Sequence, residues 1–226
     1  MTIEREHMYI FIEAFAKGKT YALPKRHVQT MQNIRTVKPG IDSPIFLKCI
    51  ENIQHLADGG ILMLSGKYGC GKTFAACCMV PIYLVATGKC REDHNEIQDE
   101  DGNWITKQDG YRFYNDWQFV TSHSILKAAF NESDLFGTSD LLIVDDIGWE
   151  HFTDKGFGIS EWDRFFDIRY RNMLPTILTT NLTVTEFQEK YTKRIYDRLR
   201  ECAVWYESAG KSLRVKKKKE PEKNDR

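Results

Sequence analysis

The chain has 226 residues, 42% of them hydrophobic and 28% charged, and its formal net charge is zero. This composition fits one folded α/β core with short extensions, and the charge balance excludes wholesale attraction to nucleic acid, so DNA contacts must come from local patches. No apolar run nears the ~18 residues of a membrane span, the first residues lack a signal peptide's apolar stretch, and six scattered Cys without a C-x-x-C pair fit neither a disulfide framework nor a zinc site. A cytoplasmic protein without a membrane partner is expected.

In chain order, residues 4 to 17 place Met8, Phe11, Ile12 and Phe15 at helical spacing, with Gly18 as a stop. Such a stripe serves either core packing or a partner surface. Pro24, Pro39 and Pro44 break the chain that follows into pieces, so residues 1–44 are expected as an extension and 45–215 as the main domain. The run Gly60 to Ser65 is apolar and of the right length for a buried strand. Directly after it, Gly66-Lys67-Tyr68-Gly69-Cys70-Gly71-Lys72-Thr73 matches G-x-x-x-x-G-K-[ST], and a helix is expected from Thr73 through Phe74 to Val80. Strand, glycine loop and helix in this order form a phosphate cradle. The loop N–H groups and the helix N-terminus point at negative charge, Lys72 reaches the β and γ phosphates, and the Thr73 hydroxyl ligates Mg2+. Cys77 and Cys78 fill space on the first core helix.

Residues 88–113 read as an insertion: six acids between Glu92 and Asp101, a hairpin turn at Asp101-Gly102-Asn103, and Trp104 to Thr106 as the return strand. A strand at Trp117–Thr121 and a helix at Ser124–Phe130 follow, with Lys127 as the nearest basic residue. The run Leu141-Leu142-Ile143-Val144 is a second buried strand, ending in Asp145 and Asp146. Ligands of open α/β sheets bind at that end of the strands. Asp145 is expected in the Mg2+ shell and Asp146 as the base that polarises water, with Glu150 as the alternative. Residues 149–158 read as a loop. The helix Glu161–Asn172 is expected to turn Trp162, Phe165, Phe166 and Ile168 inward and Arg164, Arg169 and Arg171 outward. Pro175 to Thr180 is a third strand, closed by Asn181, which either orients water at the γ-phosphate or simply starts a turn. Further on, Arg194 and Arg198 share a helical face at i, i+4. They either complete a neighbour's site as an arginine finger or line a solvated face. Residues 216–226 form a basic tail expected to be disordered.

These runs, in this order, resemble the DnaC/DnaI helicase loaders and the related IstB-type ATPases of the AAA+ superfamily, initiator/loader branch. The likeness rests on Gly66 to Thr73, Asp140 to Gly148, Arg171 to Leu182 and Arg194 to Arg200. It implies an AAA+ P-loop NTPase fold, a parallel sheet flanked by helices with a small helical C-terminal lid. It implies ATP and Mg2+ as cofactors, Walker A at Gly66–Thr73 with Phe74 beside it, Walker B at Asp145 and Asp146, sensor 1 at Asn181 and an arginine finger at Arg198. Arg214 lies where the loaders carry a sensor 2 arginine. The implied partners are a hexameric replicative helicase, single-stranded DNA and further copies of the chain sharing ATP sites. For an IstB-type ATPase the partner would be a transposase, and an ATP-switched binding module with little turnover is a third reading. The segment before residue 45 is shorter than the loaders' usual helicase-binding domain.

Overall fold

The computed structural model describes residues 3–18, 22–37, 40–98, 104–114, 117–130, 137, 139–150, 158–209 and 212–213. The N-terminal part holds helices α1 (Arg5–Lys17), α2 (Lys25–Met31), α3 (Pro44–Glu51) and α4 (Ile53–Ala57), with a 3₁₀ turn at Gly40–Asp42. Strand β1 (Ile61–Gly66) leads into α5 (Lys72–Ala86), and a hairpin of β2 (Cys90–Gln98) and β3 (Trp104–Phe113) follows. Then come β4 (Trp117–Thr121), α6 (Ser122–Phe130), β5 (Leu141–Ile147), α7 (Ile159–Arg171), β6 (Thr176–Thr180), α8 (Val184–Lys190), α9 (Lys193–Cys202) and β7 (Ala203–Ser208).

Five strands form one parallel sheet in the order β4-β5-β6-β1-β7. Because side chains alternate along a strand, β1 sends Leu62 and Leu64 to one face and Ile61 and Met63 to the other. The first face packs against α1, α3 and α5, where Ile12, Ile45, Ala76 and Cys78 are buried. The second packs against α7, α8 and α9 through Trp162, Phe165, Phe187, Ile195 and Leu199. Local chemistry sets the helix starts. Ser43 accepts from Phe46 N–H with Pro44 in the first turn of α3, and Thr183 with Glu186 forms a capping box on α8.

The apolar stripe of the first helix is core. Ile12 and Phe15 are buried, and the Phe15 ring lies 5.3 Å from Phe113 and 5.5 Å from Trp117. Residues on either side of position 45 share one buried cluster. The acidic insertion is the β2–β3 hairpin, a separate two-stranded sheet; its expected turn at 101–103 lies outside the described residues. Instead of the expected helical lid, α9 runs directly into β7, which pairs with β1 as the fifth strand. No helical lid occurs among the described residues. No described helix is long and apolar enough to cross a membrane.

Arg169, expected to face outward, is fully buried. It reaches the N-terminal ends of β5 and β6, where strand carbonyls need donors. The guanidinium donates to the carbonyls of Ser139 (2.9 Å), Asp140 (3.2 Å) and Pro175 (2.6 Å) and to Thr176 Oγ1 (3.0 Å). Burial pulls its pKa down to about 10, so it remains a cation at neutral pH. Only a guanidinium has enough forked donors for this task. Arg169→Met keeps the volume and orphans three carbonyls, a loss on the order of 3 kcal/mol. Urea denaturation should show that loss; a wild-type midpoint would mean that water replaces the guanidinium.

Candidate functional site

The site lies at the C-terminal ends of β1, β5 and β6, where the strands leave a cleft of about 330 Å³. Its lining includes Tyr68, Gly69, Gly71, Lys72, Thr73, Phe74, Asp146 and Asn181. The phosphate loop leaves β1 at Gly66 with φ 139°, where a Cβ would sit 2.8 Å from Ser208 O of the neighbouring strand. Gly71, at φ 97°, turns the chain into α5 from the left-handed region that glycine enters without penalty.

Lys72 is 5% exposed. Its Nζ donates to the carbonyls of Gly66 (2.7 Å) and Lys67 (3.2 Å) and to Asn181 Oδ1 (2.9 Å), and Cys70 Sγ lies 3.9 Å away. It forms no ion pair among the described residues. A buried ammonium held only by neutral groups is an anion-binding arrangement.

Asp145 and Asp146 take separate roles because the β5–β6 register shifts between Val144 and Ile147. Asp145 points into the core and is 9% exposed. Its Oδ1 accepts from Thr73 Oγ1 (2.8 Å) and from Thr179 Oγ1 (2.6 Å). Asp146 is exposed on the cleft side with φ 56°, a left-handed conformation that Asp tolerates better than most residues. Side-chain hydroxyls replace ladder partners around the irregularity. Asp146 N–H donates to Thr179 Oγ1 (3.0 Å), Ser122 Oγ donates to Asp146 O (2.9 Å), and Thr180 Oγ1 donates to Ile147 O (2.7 Å). Asn181 bridges the two charges, accepting from Lys72 and donating weakly to Asp146 Oδ1 at 3.5 Å. Partial burial and the neighbouring Asp145 raise the Asp146 pKa; Lys72, Asn181 and Arg26 oppose the rise.

Glu150 is buried and does not face the cleft chemistry. It accepts from Gly148 N–H (2.9 Å) and from the Tyr191 hydroxyl, while Lys190 Nζ caps the carbonyls of Gly148 and Glu150, each at 2.8 Å. Together they tie down the turn after β5. Burial and the Glu150 charge push the Tyr191 pKa well up, so the phenol stays a donor.

Among the expected residues, Gly66 to Phe74, Asp145, Asp146 and Asn181 come together. Arg198 does not join them within one chain. It is held against α7 by Asp163 (2.9 Å) and Asp167, and the more exposed Arg194 pairs with the same carboxylates at 3.1 and 3.6 Å. Arg214, the loop residues 151–157 and the basic tail lie outside the described residues. Lys127 is exposed on α6. The sequence reading missed Ser122, Thr179 and Thr180, and also Arg26, His27 and Leu213, which line the cleft. A buried strand with three threonines, at 176, 179 and 180, carried the signal for Thr179 and Thr180. Nothing local announces the others.

No protein-family model matches the chain, and no curated protein matches it in sequence. Solved structures do match its fold. The DnaC helicase loader is 15% identical, with 84% of this chain and 94% of that one covered and a TM-score of 0.50. The DnaI structure is 16% identical, with 80% and 89% covered and a TM-score of 0.54. The chain shares the fold of these structures, a five-stranded parallel sheet flanked by helices. The cleft lies between the β1–α5 loop, the end of β5 and the end of β6.

The raised Asp146 pKa has a consequence for stability without ligand. The folded state holds this proton more tightly than the unfolded chain does, so the carboxyl lowers stability as pH rises from 3.8 through its folded pKa. Asp146→Asn removes that cost, and Asn accepts the left-handed backbone. At pH 7 the variant should melt above wild type, and the gain should vanish in acid, where Asp146 is protonated in both states. Thermal melts across pH check this; a variant less stable than wild type at pH 7 would contradict it.

Proposed function

We propose that this chain is an ATPase that loads a hexameric replicative helicase onto single-stranded DNA. The observation that supports this reading is the convergence of a buried Lys72 held by neutral groups, the Thr73–Asp145 pair and a cleft-facing Asp146 at the mouth of one parallel sheet. The names of the two similar folds, the DnaC helicase loader and DnaI, supply the loader part of the proposal.

ATP would enter with its phosphates against the loop. Lys72 exchanges the Gly66 and Lys67 carbonyls for phosphate oxygens and stabilises their charge in the in-line displacement. The Thr73 hydroxyl and the Asp145 carboxylate suit Mg2+ as neighbouring oxygen donors 2.8 Å apart; when bound, the ion neutralises phosphate charge. Asp146 takes the proton of the attacking water, and Asn181, bonded to Lys72, orients that water beside it. Arg198 enters as the residue offered to an adjacent subunit. Assembly then exchanges the Asp163 and Asp167 carboxylates for a neighbour's phosphate.

Lys72→Ala should lose ATP affinity while remaining folded, with a modestly lower melt without ligand because the Gly66 and Lys67 carbonyls lose their donor. Asp146→Asn should keep ATP affinity and turn over ~10²–10⁴ more slowly. Isothermal titration and phosphate release measure both; unchanged affinity in Lys72→Ala would overturn the site.

Shared sites make a further prediction. Arg198→Ala and Lys72→Ala proteins, each inactive, should regain turnover when mixed, because one supplies the nucleotide pocket and the other the arginine. Inactive mixtures that demonstrably co-assemble would rule the shared site out. For the loading role, ATP and this protein together should increase retention of a hexameric helicase on circular single-stranded DNA. Equal retention without the protein would remove the loader assignment and leave the ATPase.

A further inference from the structure

Arg26 is a cation in the cleft that belongs to none of the AAA+ motifs. It sits on α2, far upstream of the phosphate loop, and lines the same cleft as Lys72, Thr73, Asp146 and Asn181. Its segment is anchored to the core. Met31 at the end of α2 and Ile34 after it are fully buried, and Gln32 Nε2 donates to Ala16 O at 2.9 Å. The neighbouring His27 places its ring 6.0 Å from Phe74, on the first turn of α5.

The Arg26 side chain itself is uncommitted. Its hydrogen bond is a long one, from Nε to His27 Nε2 at 3.3 Å, and it forms no ion pair with a carboxylate among the described residues. The charged side chains lining the cleft are Lys72, Asp146 and Arg26, with His27 titratable beside them. Without Arg26, Lys72 and Asp146 cancel. With it, the lining is cationic, as a polyanion requires. A guanidinium also offers the forked donor geometry that fits phosphate oxygens in pairs.

We propose that Arg26 is a second phosphate-binding cation supplied by the same subunit, which closes on the polyphosphate of a nucleoside triphosphate opposite Lys72. The proposal rests on the nucleotide reading of the cleft. It makes the segment of residues 22–37 part of the nucleotide site.

The test uses the full chain and two probes, ATP and inorganic tripolyphosphate, the second lacking a base and sugar. Arg26→Ala should weaken ATP binding about 10- to 100-fold, as loss of a charge-assisted contact does. It should weaken tripolyphosphate, measured by competition against a fluorescent ATP analogue, by a similar factor. Arg26→Lys should fall between, keeping the charge and losing the fork. Because Arg26 is exposed, melting without ligand should be unchanged; if Arg26→Ala melts lower, the comparison rests on Arg26→Lys. Unchanged ATP affinity in Arg26→Ala, while Lys72→Ala loses binding, would overturn the assignment and leave the nucleotide site standing. Weakened ATP binding with unchanged tripolyphosphate would also overturn it, placing Arg26 at the base. A wild-type chain that binds neither probe would sink the nucleotide reading, and Arg26 with it.

Discussion

One carboxylate oxygen joins the three elements on which the site depends. Asp145 Oδ1 accepts from Thr73 on α5 and from Thr179 on β6 while standing on β5 itself. Hydroxyl-to-carboxylate bonds are charge-assisted, and in a nearly dry setting they are stronger than their neutral counterparts. The clamp fixes the first turn of α5 against the sheet and so sets where the phosphate loop ends. It also occupies Asp145 on its buried side. The second acid is therefore the one that meets the cleft.

The separation of the two acids follows from a fault in the sheet. A regular parallel ladder would point Asp145 and Asp146 to opposite faces and bond their backbones alternately to β4 and β6. The register shift frees backbone groups near Asp146, and three hydroxyls, from Ser122, Thr179 and Thr180, absorb them. Asp146 can then hold a left-handed conformation without leaving a buried polar group unpaired. The buried threonines of β6 thus stabilise an acid on the adjacent strand.

The parts of this architecture that were legible in the sequence are those governed by local rules. Gly66 to Thr73 needs only its own glycines, lysine and threonine, and the strands at 61–66, 141–147 and 176–180 are short apolar runs bounded by polar ends. Contacts between distant segments were not legible. Arg169 looks like any outward arginine on a charged helix, and only the carbonyl ends of β5 and β6 explain its burial. The strand β7 has Trp205, Tyr206 and Glu207 in a row and continues directly from a helix, so neither alternation nor a turn announces it. The pair Arg194 and Arg198 was visible as a helical face, but the Asp163 and Asp167 that meet it lie on another helix. The acidic hairpin was readable because its two strands are near neighbours in sequence.

Leu213 donates its N–H to Gly69 O at 2.8 Å and lays its side chain within 3.3 Å of where a Cβ on Gly71 would stand. The chain therefore crosses back over the phosphate loop after leaving β7. The route is mechanical as well as chemical. Leu213 is thus tied to the loop at two points, the Gly69 carbonyl and the open side of Gly71. Displacing Leu213 would therefore free the Gly69 carbonyl and uncover Gly71, loosening the loop while the sheet behind it stays still.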